Sequence, residues 1–171
     1  MIKEGVDNIQ LSEQELLECS QSYGNYACNG GWMNKSFEYI KDHKIHESAD
    51  YPYTAKQGRV GKCQDPAGRK WSVSGYENVD YRNCDALEDA IRKGPVALAI
   101  DASKLYLYKG GILPNNQCGT LPNHGSLLVG STDEYWKIKE AWTTSFGEDG
   151  FARLAKGNTC AVCSAASYPL Y

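Results

Sequence analysis

Cysteine and histidine are the residue types in this chain best suited to chemistry, because a thiolate is a strong nucleophile and an imidazole can carry its proton. The chain has seven cysteines and three histidines. Only Cys160 and Cys163 have Cys-x-x-Cys spacing. They lie near the C-terminus without the strand-to-helix turn of a thioredoxin-like site, so disulfides are favoured over a metal or redox site. An odd number of cysteines leaves at least one thiol unpaired, or paired to another chain.

Charge and hydropathy argue against several classes of function. The formal net charge is −3, and no basic cluster exceeds a few residues, so we expect no nucleic-acid or membrane partner. No apolar run approaches the roughly 20 residues of a membrane span. The first ten residues also lack the apolar centre of a signal peptide. We expect a soluble globular chain with no cofactor and no metal, and 171 residues suffice for one domain or two small lobes.

Three helices are predicted from their start signals and apolar spacing. Ser12 and Glu15 form a capping-box pattern before the first helix, and Asp85 is the expected cap of the third. In the second helix, Met33 falls on an apolar face that is more typical of a core than of a binding groove. The predicted ranges are 13–18, 32–42 and 86–93.

The second half of the chain changes to a pattern of short strands separated by Gly, Asn and Asp turns. The predicted strands span 96–101, 126–129, 135–139 and 151–154. We therefore predict an α+β fold with a mainly helical lobe at about 1–85 and a mainly β, barrel-like lobe at about 86–171. The cleft between two such lobes is where a site is expected.

Four separated segments carry recognisable motifs. They read LSEQELLEC at 11–19, CNGG at 28–31, NHG at 123–125 and WKIKEAWTTSFGEDG at 136–150. Their order and spacing resemble those of the papain family of cysteine peptidases, in particular its cathepsin L-like members. Shorter framework matches lie at 50–53, 94–96, 108–112 and 165–169, so the resemblance spans almost the whole chain and implies a papain-like two-lobe fold.

The resemblance implies a set of site residues. His124 falls on the catalytic histidine, Glu140 on the asparagine that orients it, and Trp142 on the tryptophan that shields their contact from water. Gly31 falls on the glycine whose backbone binds an extended peptide. The other implied substrate-binding positions are Gly30, Trp32, Met33, Ala99, Asn123, Gly125 and Ala165. Without the flanking motifs a single histidine is more often a surface or satisfied core residue, and that is our interpretation of His43 and His46.

Two departures from the family pattern affect the expected activity. No Cys-Gly-Ser-Cys-Trp segment occurs, and the nucleophilic cysteine, which in the family lies roughly 130 or more residues before the histidine, would fall before Met1. In addition, Glu140 replaces an asparagine. A carboxylate can orient an imidazole, but a solvated glutamate released from catalysis is an equally good interpretation. We therefore expect the chain on its own to be inactive.

The resemblance also implies two disulfides, Cys19 with Cys63 and Cys118 with Cys160. The family partner of Cys28 lies in the missing segment, so this thiol is expected to be unpaired here. Two further cysteines match no family bridge and are also expected to be unpaired, namely Cys84 and Cys163.

Three functions remain open from the sequence. The first is a non-catalytic papain-like scaffold that binds a peptide or protein, with a partner chain covering the exposed first lobe. The alternative is an active cysteine endopeptidase whose N-terminal segment is on another chain or missing. A protease-derived inhibitor or storage protein is the third. The resemblance places any of these in the secretory pathway, in lysosomes or outside the cell.

Overall fold

The computed structural model describes residues 9–171 and divides into two compact units. The first unit runs to Tyr76 and includes Pro169–Tyr171, whereas the second covers Glu77–Tyr168. The division lies before the predicted lobe boundary at about residue 85. The reason is that a helix beginning at Cys84 packs against a later strand of the second unit. No helix in residues 9–171 is long and apolar enough to cross a membrane.

The described part of the first unit has two α-helices and a small sheet around a core of aromatic and aliphatic residues. Tyr39, Ile40, Ile45 and Trp71 are the buried residues of that core. The α-helices are α1 (Glu13–Cys19) and α2 (Met33–His43), and the strands β1 (Ile45–His46) and β2 (Lys70–Trp71) pair antiparallel. The two helices predicted at 13–18 and 32–42 are therefore confirmed within one residue at each end.

The predicted capping box of α1 is only half formed. Ser12 Oγ accepts a hydrogen bond from the Glu15 backbone N–H at 3.0 Å, but the Glu15 carboxylate does not return to the cap. It is buried, accepts the Tyr39 hydroxyl at 2.9 Å, and lies 2.9 Å from His46 Nδ1. His46 Nε2 lies 2.9 Å from the Pro66 carbonyl oxygen. His46 is therefore a satisfied core residue, as predicted.

The second unit is built on a seven-stranded sheet with the strand order β3-β9-β4-β6-β7-β8-β5. Its strands are β3 (Gly75–Asn78), β4 (Val96–Ile100), β5 (Ile112–Leu113), β6 (His124–Ser131), β7 (Tyr135–Lys139), β8 (Phe151–Ala155) and β9 (Ala165–Leu170). Helix α3 (Cys84–Lys93) packs on β6. Its N-cap is Asn83, whose side chain accepts from the Ala86 N–H at 3.0 Å. The prediction of Asp85 as cap was wrong, because the helix begins before it.

Residues alternate between the two faces along the strands of this sheet. Leu98 and Ile100 of β4, Leu128 of β6 and Ile138 of β7 are all fully buried in the main core. The side chains two and four residues before Leu128, and two residues after Ile138, therefore face the same side of the sheet as this core. This alternation determines which polar groups at the strand ends can meet.

Three disulfides are present among the described residues. Cys19–Cys63 and Cys118–Cys160 are the two pairs that the resemblance implied. The third is Cys84–Cys163, with Cα atoms 5.1 Å apart. The expectation that Cys84 and Cys163 are unpaired was therefore wrong. Helix α3 begins at Cys84, and the chain after the buried turn at Thr159–Ala161 brings Cys163 to it. Cys28 is the free cysteine of the described residues and is exposed.

An ion pair anchors the loop between β7 and β8. Glu148 contacts the Arg153 guanidinium at 2.6 Å and accepts the Gly111 N–H at 2.9 Å. The Arg153 hydrogen bonds, more than any other contact, hold the pKa of Glu148 below its ordinary value. A carboxylate with a depressed folded-state pKa stabilises the fold above its unfolded pKa, about 4.3. That stabilisation is lost as pH falls through the folded pKa.

We therefore expect Glu148→Gln to flatten the acid dependence of stability. The parent should lose more free energy of unfolding than the variant between about pH 5 and pH 3. Because both side chains are about a third exposed, the difference should stay below about 1 kcal/mol. Urea denaturation at several pH values measures it, with exposed Glu13→Gln as control. If the free energy of unfolding depended equally on pH in the parent and in Glu148→Gln, the expectation would be contradicted.

Candidate active site

His124 and Glu140 form a close pair at the ends of two neighbouring strands. His124 begins β6 and Glu140 follows β7. The distance from His124 Nε2 to Glu140 Oε2 is 2.7 Å, with 25% of the histidine side chain exposed and none of the glutamate side chain. An ionised carboxylate only accepts hydrogen bonds, so Nε2 carries the proton. Because the Glu140 side chain is not exposed, the interpretation of Glu140 as a solvated glutamate was wrong.

The orientation of the ring leaves its other nitrogen available. Among residues 9–171, Nδ1 of His124 has no hydrogen-bond partner. The carboxylate of Glu140 fixes the ring from the Nε2 side. The arrangement can therefore hold an imidazole whose Nδ1 accepts or donates a proton to a group placed beside it.

Ser126 completes the environment of the carboxylate. The pairing of Leu127 with Lys139 places Ser126 opposite Glu140 when the register is continued by one residue. The hydroxyl of Ser126 donates to Oε1 of Glu140, so both carboxylate oxygens are bonded. This residue was not predicted from the sequence. The available signal was its alternation with buried Leu128, which turns a polar side chain towards the core face.

Aromatic rings cover one side of the imidazole. The ring centroid of Trp142 lies 4.6 Å from that of His124. Phe146 packs edge-on against Trp142 at 4.9 Å. Trp142 therefore packs against the His124 ring, and its role in shielding the His124–Glu140 contact from water stays a prediction. Phe146 was not predicted. The loop that carries both is tied back by the Glu140 N–H, which donates to the Gly150 carbonyl at 2.9 Å.

Asn123 connects the histidine strand to the loop after β4. Its backbone N–H donates to the Ile100 carbonyl at 2.9 Å. Its side chain accepts from the Ala102 N–H at 2.9 Å and donates to Ser103 Oγ at 3.0 Å. The side chain therefore holds this loop beside His124. A role for Asn123 in substrate binding stays a prediction.

Three predicted pocket residues lie side by side across adjacent strands. Ala99 of β4 pairs with Gly125 of β6 and with Ala165 of β9. Leu98 and Ile100 point to the core, so alternation places Ala99 on the opposite face. This face of the sheet therefore carries small residues on β6, directly after His124, and on the strands β4 and β9.

The remaining predicted residues belong to the first unit, in the turn before α2. Gly30 and Gly31 are exposed, Trp32 is 53% exposed, and Met33 is half-buried at the start of the helix. No hydrogen bond within residues 9–171 uses the backbone of Gly31. Those groups are free to bind an extended peptide, but that role stays a prediction.

Asn25, which was not predicted, fixes this turn. Its side-chain oxygen accepts the Trp32 N–H at 2.8 Å. Its amide nitrogen donates to Ser20 Oγ at 2.9 Å and to Ser36 Oγ at 3.2 Å. The side chain is buried and fully engaged. It has little freedom to move away from Gly31, against which it lies.

We expect Gly31→Ala to destabilise the chain by roughly 1–3 kcal/mol, the usual cost of overpacking. A Cβ at Gly31 would lie 2.4 Å from Asn25 Oδ1, and Asn25 cannot yield without losing its bonds. Gly125→Ala is the matched control, because a Cβ there meets nothing within 4 Å. Urea denaturation of both variants measures the difference. Equal stability of the two would show that Asn25 yields freely.

The chemistry that the His124–Glu140 geometry can support is proton transfer at the imidazole. The part of the chain that the structure describes has no cluster of three or more His, Cys, Asp or Glu residues arranged to hold a metal ion. The His124–Glu140 pair provides an oriented base with an apolar cover. What it requires for catalysis is a nucleophile beside Nδ1.

Comparisons with known proteins match nearly the whole chain. Cathepsin L 2 of Paramecium tetraurelia is 44% identical over 163 residues, covering 94% of this chain and 50% of the relative. Cathepsin S of Bos taurus is 40% identical over 173 residues, covering 94% of this chain and 51% of the relative. The chain thus spans about half the length of the curated relatives it matches.

Solved structures give the same result for the fold. A digestive procathepsin L 3 from Tenebrio molitor larval midgut superposes with a TM-score of 0.88 at 38% identity, over 99% of this chain and 58% of the other. A Carica candamarcensis cysteine protease in complex with E-64 has a TM-score of 0.89 at 32% identity, over 99% and 82%. The family model described as papain family cysteine protease matches residues 1–170. The chain therefore belongs to the papain family of cysteine proteases.

Proposed function

We propose that this chain supplies the histidine and its orienting acid to the active site of a cysteine peptidase, and that the nucleophilic thiol comes from outside this sequence. The observation that carries the proposal is the contact between His124 Nε2 and Glu140 Oε2 at 2.7 Å, with Nδ1 left without a partner among residues 9–171. This is the geometry of a base held by an acid on one side and open to a nucleophile on the other.

The pair would act in both halves of peptide hydrolysis. Nδ1 of His124 takes the proton of the thiol as sulfur attacks the peptide carbonyl carbon, and gives that proton to the amine as the C–N bond breaks. A thioester remains on the sulfur. Water then attacks it while Nδ1 takes a proton from the water, and the released thiol regains that proton. Glu140 stabilises the charged ring in both steps.

The free-energy cost of burying the Glu140 carboxylate supports a functional reason for the His124–Glu140 pair. Burying a carboxylate is costly, and apolar residues of similar volume are often as stable as a buried ion pair or more stable. Glu140 has no exposed side-chain surface. A glutamate without a functional role at this strand end would be more stable with its carboxylate exposed to solvent. The carboxylate therefore fits a role in orienting His124 better than a role in stability.

A second candidate function is a non-catalytic protein that binds a peptide or protein partner. The observation that favours it is the carboxylate of Glu140 at a position where the family carries an amide. The face of the sheet formed by the small residues Ala99, Gly125 and Ala165 would then bind the partner without cleaving it.

Substrate class and location belong to the same proposal. Small side chains at Ala99, Gly125 and Ala165 leave room for a bulky apolar side chain of a peptide. Three disulfides are typical of an oxidising compartment, which supports the secretory pathway, a lysosome or the extracellular space.

Thiol labelling of the protein from its native source separates the two functions. We expect an epoxide reagent at neutral pH to label rapidly one cysteine that is absent from this sequence, located by peptide mapping and by intact mass under non-reducing conditions. In recombinant protein that includes the segment carrying that cysteine, His124→Ala should slow the labelling at least a hundredfold, whereas exposed His43→Ala should not. Labelling of Cys28 alone, or of no cysteine, would refute the peptidase and support the non-catalytic protein.

A further inference from the structure

The Glu140 carboxylate needs more than the histidine to hold its orientation. The terminal torsion of a glutamate side chain is soft, so a carboxylate bonded through one oxygen can rotate. A buried carboxylate is also costly unless its oxygens are hydrogen-bonded. Oε2 of Glu140 is bonded to His124, and Oε1 is bonded to the hydroxyl of Ser126. The two bonds together fix the plane of the carboxylate.

Strand geometry explains why Ser126 is the residue that reaches Oε1. Ser126 and His124 lie on the same face of β6, and the register places Glu140 directly opposite Ser126 and diagonally opposite His124. Directly opposite and diagonal side chains on one face of an antiparallel pair are within contact distance. One carboxylate can therefore bridge the two side chains without distorting either strand.

We infer that Ser126 is a positioning residue, which anchors Oε1 of Glu140 so that Oε2 stays directed at Nε2 of His124. It is the residue that allows a carboxylate to serve where an amide serves in the family. An amide has one acceptor atom, whereas a carboxylate has two, and the second would be buried and unsatisfied without the hydroxyl. The catalytic value of the arrangement rests on the proposed function, but the arrangement can be measured without activity.

The test is the exchange of the His124 Nε2 proton with solvent, measured by ¹⁵N-resolved NMR on the full chain. We expect Ser126→Ala to speed this exchange by roughly tenfold or more, because a hydrogen bond to a charged group is lost. Ser126→Thr, which keeps a hydroxyl on a β-branched side chain, should restore slow exchange.

Ser131→Ala is the matched control. Ser131 lies on the same strand and its hydroxyl also donates to a glutamate, Glu88, at 2.5 Å. Loss of this bond should leave the His124 proton unchanged. If Ser126→Ala does not fold, Ser126→Val replaces it, because Val has the shape of Thr without the hydroxyl. Exchange as slow in the Ala or Val variant as in the parent would overturn the inference.

The outcomes also separate this inference from the proposed function. Fast exchange in Ser126→Ala, combined with no rapidly labelled cysteine in the native protein, would refute the peptidase and leave Ser126 as a positioning residue. Slow exchange in Ser126→Ala, combined with rapid labelling, would support the peptidase and remove Ser126 from its machinery.

Discussion

Replacing His124 by alanine is expected to lower the free energy of unfolding by about 3 kcal/mol, the low end of the range for removing the partner of a buried charged group. The change leaves the fully buried carboxylate of Glu140 with one remaining partner, the hydroxyl of Ser126. Its desolvation is then no longer compensated at Oε2. We expect the low end of the range because a quarter of the histidine side chain is exposed, so water can reach part of the vacated space.

The double variant His124→Ala with Glu140→Ala tests whether the carboxylate causes this loss. It should regain part of the lost stability, because the uncompensated charge is gone and only a packing defect remains. Exposed His43→Ala is the control and should cost less than about 1 kcal/mol, since it loses only ring contacts. Urea denaturation at neutral pH measures all three. A double variant no more stable than His124→Ala would assign the loss to packing.

The strands that could be predicted from the sequence are those with an uninterrupted apolar alternation. The prediction at 135–139 coincides with β7, and those at 96–101 and 151–154 differ from β4 and β8 by one residue. Strand β6 was predicted too short, at 126–129 instead of His124–Ser131. The polar side chain of His124 faces the core, and Gly125 and Gly130 have no side chain, so the apolar alternation on which the prediction depends is lost at both ends of the strand.

Short and irregular strands could not be predicted. Strands β1, β2 and β5 have only two residues each, which is too few for any periodicity to appear. Strand β9 has longer bounds but contains Pro169, a residue that argues against a strand in a sequence-based prediction. Each of these strands exists because a neighbour with a matching register binds it, and that information is not local.

The resemblance implied that His124, Glu140 and Trp142 belong to one site, and in the structure Glu140 and Trp142 each contact His124. Their catalytic roles stay predictions. Burial of Glu140 was not predictable, because glutamate is among the residues least often buried. Its compensation comes from Ser126, on a different strand. Cys84 and Cys163 pose the same difficulty, because disulfide connectivity cannot be deduced from sequence alone.

Removal of the Cys84–Cys163 disulfide, by alanine at both positions, is expected to cost about 4 kcal/mol. The bridge joins residues 79 apart in sequence, and closing a loop of that length restricts the unfolded chain by about this amount. Cys163 is also only 1% exposed and packs in the main core, so the change adds a small packing loss. Urea denaturation under non-reducing conditions measures the effect, and Cys28→Ala, at an exposed free thiol, is the control with little expected change.

Reduction of the disulfides separates loop closure from packing. In reducing buffer the parent no longer has the bridge, so the Cys84→Ala/Cys163→Ala variant should differ from it only by the packing of two side chains. The stability difference should therefore shrink to about 1 kcal/mol, the typical cost of a point substitution. A difference that stays near its non-reducing value would contradict the prediction. The contribution of Cys163 would then lie in its contacts with the core, and the bridge to Cys84 would add little.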